Sequence, residues 1–163
     1  MMSFEQKSNK LYQQIAQKIN DMIPVEWSNF YFNGEVKGKE GGVFFFFIPK
    51  ADNEKAVFSH FIPKFYGVDK RLYNTALHEL FELTHVLQKV FIDNDQEPWF
   101  SVTMIVNESG KLNVKFDYIN WTNSDFGPSA RIKYFEYKYI NQDINVQDLE
   151  LITRMKEYEE TNK

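Results

Sequence analysis

Gly41-Gly42-Val43-Phe44-Phe45-Phe46-Phe47-Ile48-Pro49 decides the fold class of this 163-residue chain. Six apolar residues stand in a row between a Gly-Gly turn and a proline, with β-branched Val43 ahead of four phenylalanines. A run this short and this apolar reads as a strand covered on both faces. Left open on one side it would be an aggregation hazard, so other elements must pack there. The neighbouring segments are read as that cover.

Outward from this strand the patterning alternates between helix and sheet. Phe4, Leu11, Ile15, Ile19, Met22 and Ile23 recur at helical spacing until Pro24, which predicts an amphipathic first helix. Trp27 to Val36 is extended, with Trp27, Phe30, Tyr31 and Phe32 ahead of Asn33-Gly34. Beyond Pro49, Asp52-Asn53-Glu54 turns the chain into a third strand, Ala56 to Phe61, giving an antiparallel meander. Asp69 is placed to cap a helix from Lys70 to Phe91. In it Leu72, Ala76, Leu80, Leu83, Leu87 and Val90 fall in one arc of roughly 80°. Trp99 to Val106 and Lys111 to Tyr118 form a hairpin about Asn107-Glu108-Ser109-Gly110. Residues 131–140 alternate as a strand would, but Pro128 at a first-turn position favours a helix with Ile132, Phe135 and Tyr139 inward. Asn145 opens a last helix, fraying from Lys156. The expectation is an α+β chain ordered α-βββ-α-ββ-α-α, with about five antiparallel strands covered by helices. Residues 1–163 form one domain in this reading, with 145–163 a helical tail.

Composition narrows the function classes. There is no cysteine, so disulfides, thiolate metal sites and thiol nucleophiles drop out. The N-terminus has no basic start followed by an apolar segment, and no run approaches the ~20 apolar residues of a membrane span, so the chain is expected to be soluble and cytoplasmic. A net charge of −4 opposes non-specific nucleic-acid binding and suits a basic protein partner.

Searching for chemistry gives little. His78, Glu82 and His85 share a helix face, but histidines seven residues apart lie about 10 Å apart along the axis, too far for one ion. His78-Glu79 lacks the second histidine of a zincin helix. Gly38, Gly41 and Gly42 have no following lysine to make a phosphate loop. Ser59-His60 adjacency is not a triad. Asp93, Asp95 and Glu97 lack the central glycine and terminal glutamate of a calcium loop. No catalytic, metal or cofactor residue is assigned, and the chain is not expected to be an enzyme.

Four segments together carry a family resemblance. They are Leu11 to Ile19 running on to Ile23-Pro24-Val25-Glu26-Trp27; Gln96-Glu97-Pro98-Trp99; Ser109-Gly110-Lys111-Leu112 through Phe116-Asp117-Tyr118; and Ser129-Ala130-Arg131 through Glu136-Tyr137-Lys138-Tyr139. In this order and spacing the chain resembles the YezG-like immunity proteins of Gram-positive bacteria. The resemblance implies an antitoxin that binds the nuclease domain of a toxin exported by a type VII route, with no catalysis and no cofactor. Pro24, Trp27, Pro98, Trp99, Gly110 and Tyr139 in these motifs are explained as fold determinants.

If the partner is a nuclease, its basic cleft calls for an acidic, aromatic-bearing surface. The candidates are Glu79 and Glu82 on the exposed helix face, Asp93, Asp95 and Glu97 in the loop after it, and Trp121, Asp125 and Phe126. Two rivals stand beside this reading. One is a secretion adaptor that holds the toxin without inhibiting it; the other is a small-molecule-binding α+β domain with an aromatic pocket over the phenylalanine strand.

Overall fold

The computed structural model describes residues 1–163, which divide into two compact units, Met1–Asp117 and Tyr118–Lys163. The first unit is a five-stranded antiparallel sheet with helices on one face, the α+β architecture expected from the patterning.

Helix α1 (Phe4–Met22) opens with a capping box, in which Ser3 Oγ accepts from the Gln6 amide and Gln6 Oε1 accepts from the Ser3 amide. Strands β1 (Trp27–Lys37) and β2 (Glu40–Pro49) form a hairpin, with Phe30 opposite Phe47 and Phe32 opposite Phe45. β3 (Val57–Phe58) adds two residues at the edge of β2. A short α2 (Ile62–Tyr66) and the long α3 (Lys70–Asp93) follow, then the hairpin of β4 (Ser101–Val106) and β5 (Leu112–Asp117). Strand order is β3-β2-β1-β4-β5. The central strand is therefore β1, and the phenylalanine strand lies between it and the edge.

All four phenylalanines are nonetheless buried, as a strand covered on both faces requires. The pleat sends Phe45 and Phe47 to the helix side, with Phe30, Phe32, Val36, Val102, Met104 and Val106. There Leu11, Ile15 and Ile19 of α1 and Tyr73, Leu80, Leu87 and Phe91 of α3 close the core. Phe44 and Phe46 point the other way and meet Phe58 at ring distances of 6.1 and 5.1 Å.

Two glycines position the main helix and the hairpin. A Cβ at Gly34 would stand 2.7 Å from Thr84 Cγ2, so glycine lets α3 cross β1 at close range. Gly41 has φ 148°, and a Cβ there would collide with the Glu35 carbonyl oxygen at 1.9 Å. Gln88 fastens the same crossing, donating Nε2 to the carbonyls of Val36 (3.0 Å) and Trp99 (2.6 Å).

Three expectations change. The third strand is not Ala56 to Phe61: it stops at Phe58, and Ser59–Phe61 is a 3-10 turn leading to α2. The reason is Ser59, wholly buried, whose Oγ accepts from the Phe45 amide of β2 while its carbonyl accepts from Tyr73 Oη at 2.7 Å. A side chain and a carbonyl thus replace ladder bonds, and Pro63 starts a helix. On α3 the buried stripe is Tyr73, Leu80, Thr84, Leu87, Gln88 and Phe91, whereas Leu72 is 72% exposed. The stripe turns because Thr84 packs against Gly34 of β1 and Gln88 is held inward by hydrogen bonds to the sheet, contacts that hydrophobicity alone cannot reveal. The last helix, expected to fray from Lys156, continues to Asn162.

The second unit holds α4 (Pro128–Tyr139) and α5 (Leu149–Asn162), so 131–140 is helical up to Tyr139, as Pro128 predicted. Asn145 caps a 3-10 turn, Val146–Asp148, that runs into α5. Tyr134 and Phe135 are the buried positions of α4, Ile152 and Met155 those of α5. Ile132 and Tyr139 are half-buried. No helix is long and apolar enough to cross a membrane.

Candidate functional site

The eight residues proposed for partner binding fall into separate sets, five in the first unit and three in the second. In the first unit they follow α3. Its exposed face carries Glu79 and Glu82, one turn apart. Glu79 accepts from Lys18 Nζ of α1 at 3.1 Å, which ties the two helices together. Glu82 lies 3.5 Å from His78 Nε2. His85, two turns on from His78, bonds the Gly38 carbonyl at 3.0 Å through Nε2 and stacks on Phe81. It thus braces the hairpin turn against α3.

Asp93, Asp95 and Glu97 occupy a helix end that is built stiffly. Asn94 Nδ2 donates to the Val90 carbonyl at 2.7 Å. The amides of Asp95 and Gln96 return to the Ile92 and Phe91 carbonyls at 3.2 and 2.9 Å. This closure demands a left-handed residue, and Asp95 supplies it at φ 57°, a conformation that aspartate tolerates better than most side chains. Trp99, 1% exposed, then anchors the loop against Phe91 and Phe116 at ring distances of 6.0 and 5.5 Å. All three carboxylates are exposed. Only Asp93 has a cation, Lys89 Nζ at 3.0 Å. They sit where the last carbonyls of α3 already give the helix its negative end. Carboxylates and dipole therefore add in one place, a spot suited to attract Lys or Arg of a partner.

The second unit treats its three residues differently. Trp121 and Phe126 are only 5% and 7% exposed. They pack with Tyr158 at 5.1 and 5.8 Å, and Trp121 also meets Tyr134 at 5.9 Å. Both are core aromatics of this unit. Asp125 is exposed between them. It lines an open groove of about 380 Å³ with Ser124, Phe126, Arg154 and Glu157, and the Arg154 guanidinium lies 5.3 Å from the Phe126 ring. Beneath, Glu159 accepts from Tyr134 Oη at 2.9 Å and from Lys138 Nζ at 2.8 Å. Burial, and then the hydrogen bond to that carboxylate, push the Tyr134 phenol well above the ordinary tyrosine value.

A surface missed in the sequence lies at the opposite end of α3. Phe61 and Phe65 are 48% and 58% exposed, with rings 5.3 Å apart. Phe58 reaches Phe61 at 5.6 Å and stacks on His60 at 4.7 Å. Read as the last residue of the third strand, Phe61 gave no sign of exposure. The signal available was Pro63, two residues into what then becomes a helix.

Comparison with known proteins supplies the context for these surfaces. The profile described as "Immunity protein YezG-like" matches residues 8–149. The chain is 35% identical over 137 residues to "Type VII secretion system protein EsaG" of Staphylococcus aureus, covering 84% of this chain and 83% of that protein. It is 34% identical over 128 residues to "Immunity protein YezG" of Bacillus subtilis, covering 78% and 84%. Its identity to the Bacillus spizizenii protein of the same name is 33% over 132 residues, covering 81% of each.

Proposed function

The chain belongs to the YezG-like immunity protein family, and from that premise we propose that it binds and neutralises a secreted nuclease toxin stoichiometrically in the cytoplasm. The observation that carries the choice of a basic partner is the acidic end of α3, where Asp93, Asp95 and Glu97 add to the helix dipole. A protein that must hold DNA presents clustered Lys and Arg, and such a cluster is drawn to this end of the molecule. Inhibition then follows from occupying or straddling the surface that DNA needs. No side chain of the immunity protein has to react.

A second reading has one observation in its favour. The staphylococcal relative is named for a secretion system, which fits an adaptor that carries a toxin without silencing it. Co-expression with a candidate nuclease toxin domain from the same cell, co-purification, and a DNA-degradation assay on the complex separate the two. A stable complex that leaves DNA intact, and cuts once the partners are separated, is the expected result. A complex that still degrades DNA overturns inhibition in favour of the adaptor.

A further inference from the structure

We propose that Phe61 and Phe65, with Lys64, Lys70 and Arg71, form a docking surface for an acidic segment of a protein partner that bears large apolar side chains. The aromatic part is a row of rings leading out of the core. Phe46 meets Phe58 at 5.1 Å, Phe58 meets Phe61 at 5.6 Å, and Phe61 meets Phe65 at 5.3 Å, exposure rising along the row. Phe61 and Phe65 are held on a backbone fixed by the buried Ser59 bonds and by Ile62, which is fully buried. They are therefore exposed on a rigid support, where an ordered partner loses little further entropy on binding. Leu72, in the first turn of α3, is also exposed, at 72%.

The charge along this stretch of the chain is opposite to that of the whole protein. From Lys55 to Leu72 the charged side chains are Lys55, Lys64, Asp69, Lys70 and Arg71, in a protein of net charge −4. Asp69 is occupied as the helix cap, accepting from the Leu72 amide at 3.1 Å. Lys64, Lys70 and Arg71 are exposed and enter no ion pair. Their position is also unfavourable for the helix. Lys70 and Arg71 stand in the first turn of α3, where the dipole is positive, and that turn holds no acidic residue. Helix stability does not account for cations there, whereas a carboxylate-bearing ligand does. Exposed rings with free cations also fit single-stranded nucleic acid. The few cations and the acidic chain favour the protein ligand.

The proposal rests on the immunity reading only for the identity of the partner, so the test has two arms. Calorimetry measures affinity for the candidate nuclease toxin domain at 50 and 300 mM salt. Fluorescence anisotropy measures binding of a labelled 20-residue peptide of Glu, Leu and Phe, its Lys-for-Glu counterpart, and a 15-nucleotide dT strand. Expected is binding of the acidic peptide alone, weakened by salt. The pair Phe61→Ser with Phe65→Ser, and separately Lys64→Glu with Arg71→Glu, reduce affinity for peptide and toxin at least tenfold, and circular dichroism checks that both variants fold. If toxin binds and is inhibited with wild-type affinity in both variants, the docking surface is overturned and the immunity reading stands. If the acidic peptide binds through these residues and the toxin does not bind, the surface stands and that reading falls. Preference for dT, or self-association in sedimentation that the same substitutions abolish, overturns the proposal in favour of nucleic acid or a second copy.

Discussion

At the scale of single residues, packing contacts make the firmest expectations. Gly34→Ala puts a methyl 2.7 Å from Thr84 Cγ2 under a helix held on both sides, so about 1–3 kcal/mol of stability should be lost. Denaturant titration reads this, and unchanged stability would mean that α3 can lift from β1 freely. Trp121→Ala removes a ring that touches Phe126, Tyr134 and Tyr158, with an expected loss of about 3–5 kcal/mol. Because Trp121 is buried, the folded fraction should keep its affinity for the toxin. Impaired binding at wild-type stability would return Trp121 to the interface. Tyrosine ionisation makes a third expectation. Burial raises the phenols of Tyr73 and Tyr134 well above the ordinary value near 10, so the folded state holds their protons where the unfolded state releases them. Their contribution is complete below pH 10 and is lost as pH rises from there toward their folded values. Absorbance at 295 nm should show Tyr73 and Tyr134 ionising late, with unfolding, and Tyr134→Phe should flatten the alkaline decline. An early, complete titration of a folded protein would contradict this.

At the scale of elements, α3 has its charges the wrong way round. Cations stand in its first turn and carboxylates at its end, with no basic residue in the last turn. Replacing Asp93 and Glu97 by lysine, with Asp95→Asn to keep the left-handed backbone, should leave stability unchanged or raise it by up to about 1 kcal/mol. The same variant should associate with the toxin more slowly at low salt, as stopped-flow mixing would register. Unchanged on-rates would remove this loop from the interface. The element is also where sequence reading reached its limit. Pro24, Asp69 and Pro128 announced their helix boundaries because each acts locally, the prolines through their own backbone and Asp69 through a side-chain bond three residues along. The phenylalanine run announced its two-sided burial because no soluble strand can expose it. Ser59, Thr84 and Gln88 announced nothing: each is polar in sequence and becomes core through something distant, a hydrogen bond for Ser59 and Gln88 and the close approach to Gly34 for Thr84. The missed strand end, the turned stripe and the exposed pair Phe61 and Phe65 all trace to such long-range contacts. Of the candidate surface, the carboxylates lie exposed as their charge suggested. Trp121 and Phe126 went inward, because aromatics in a loop give no local sign of which way they turn.

At the scale of the whole molecule, the strand order has a consequence in time. β1 is central, and its second neighbour β4 lies beyond α3: Phe32 pairs with Met104 and Gly34 with Val102. During synthesis β1 and β2 are complete about 50 residues before β4 exists, which at the ribosome's pace is roughly 3–10 s. Throughout that interval the nascent chain carries its most apolar strand in a hairpin with one inner edge bare. α1 has already been made and α3 is complete before β4 begins, so the helix cover can assemble before the sheet is finished. A chain released after α3, with the hairpin but not its closing strands, should be a potent aggregator. The arrangement makes the cell's supply of the protein sensitive to any pause between codons 50 and 106.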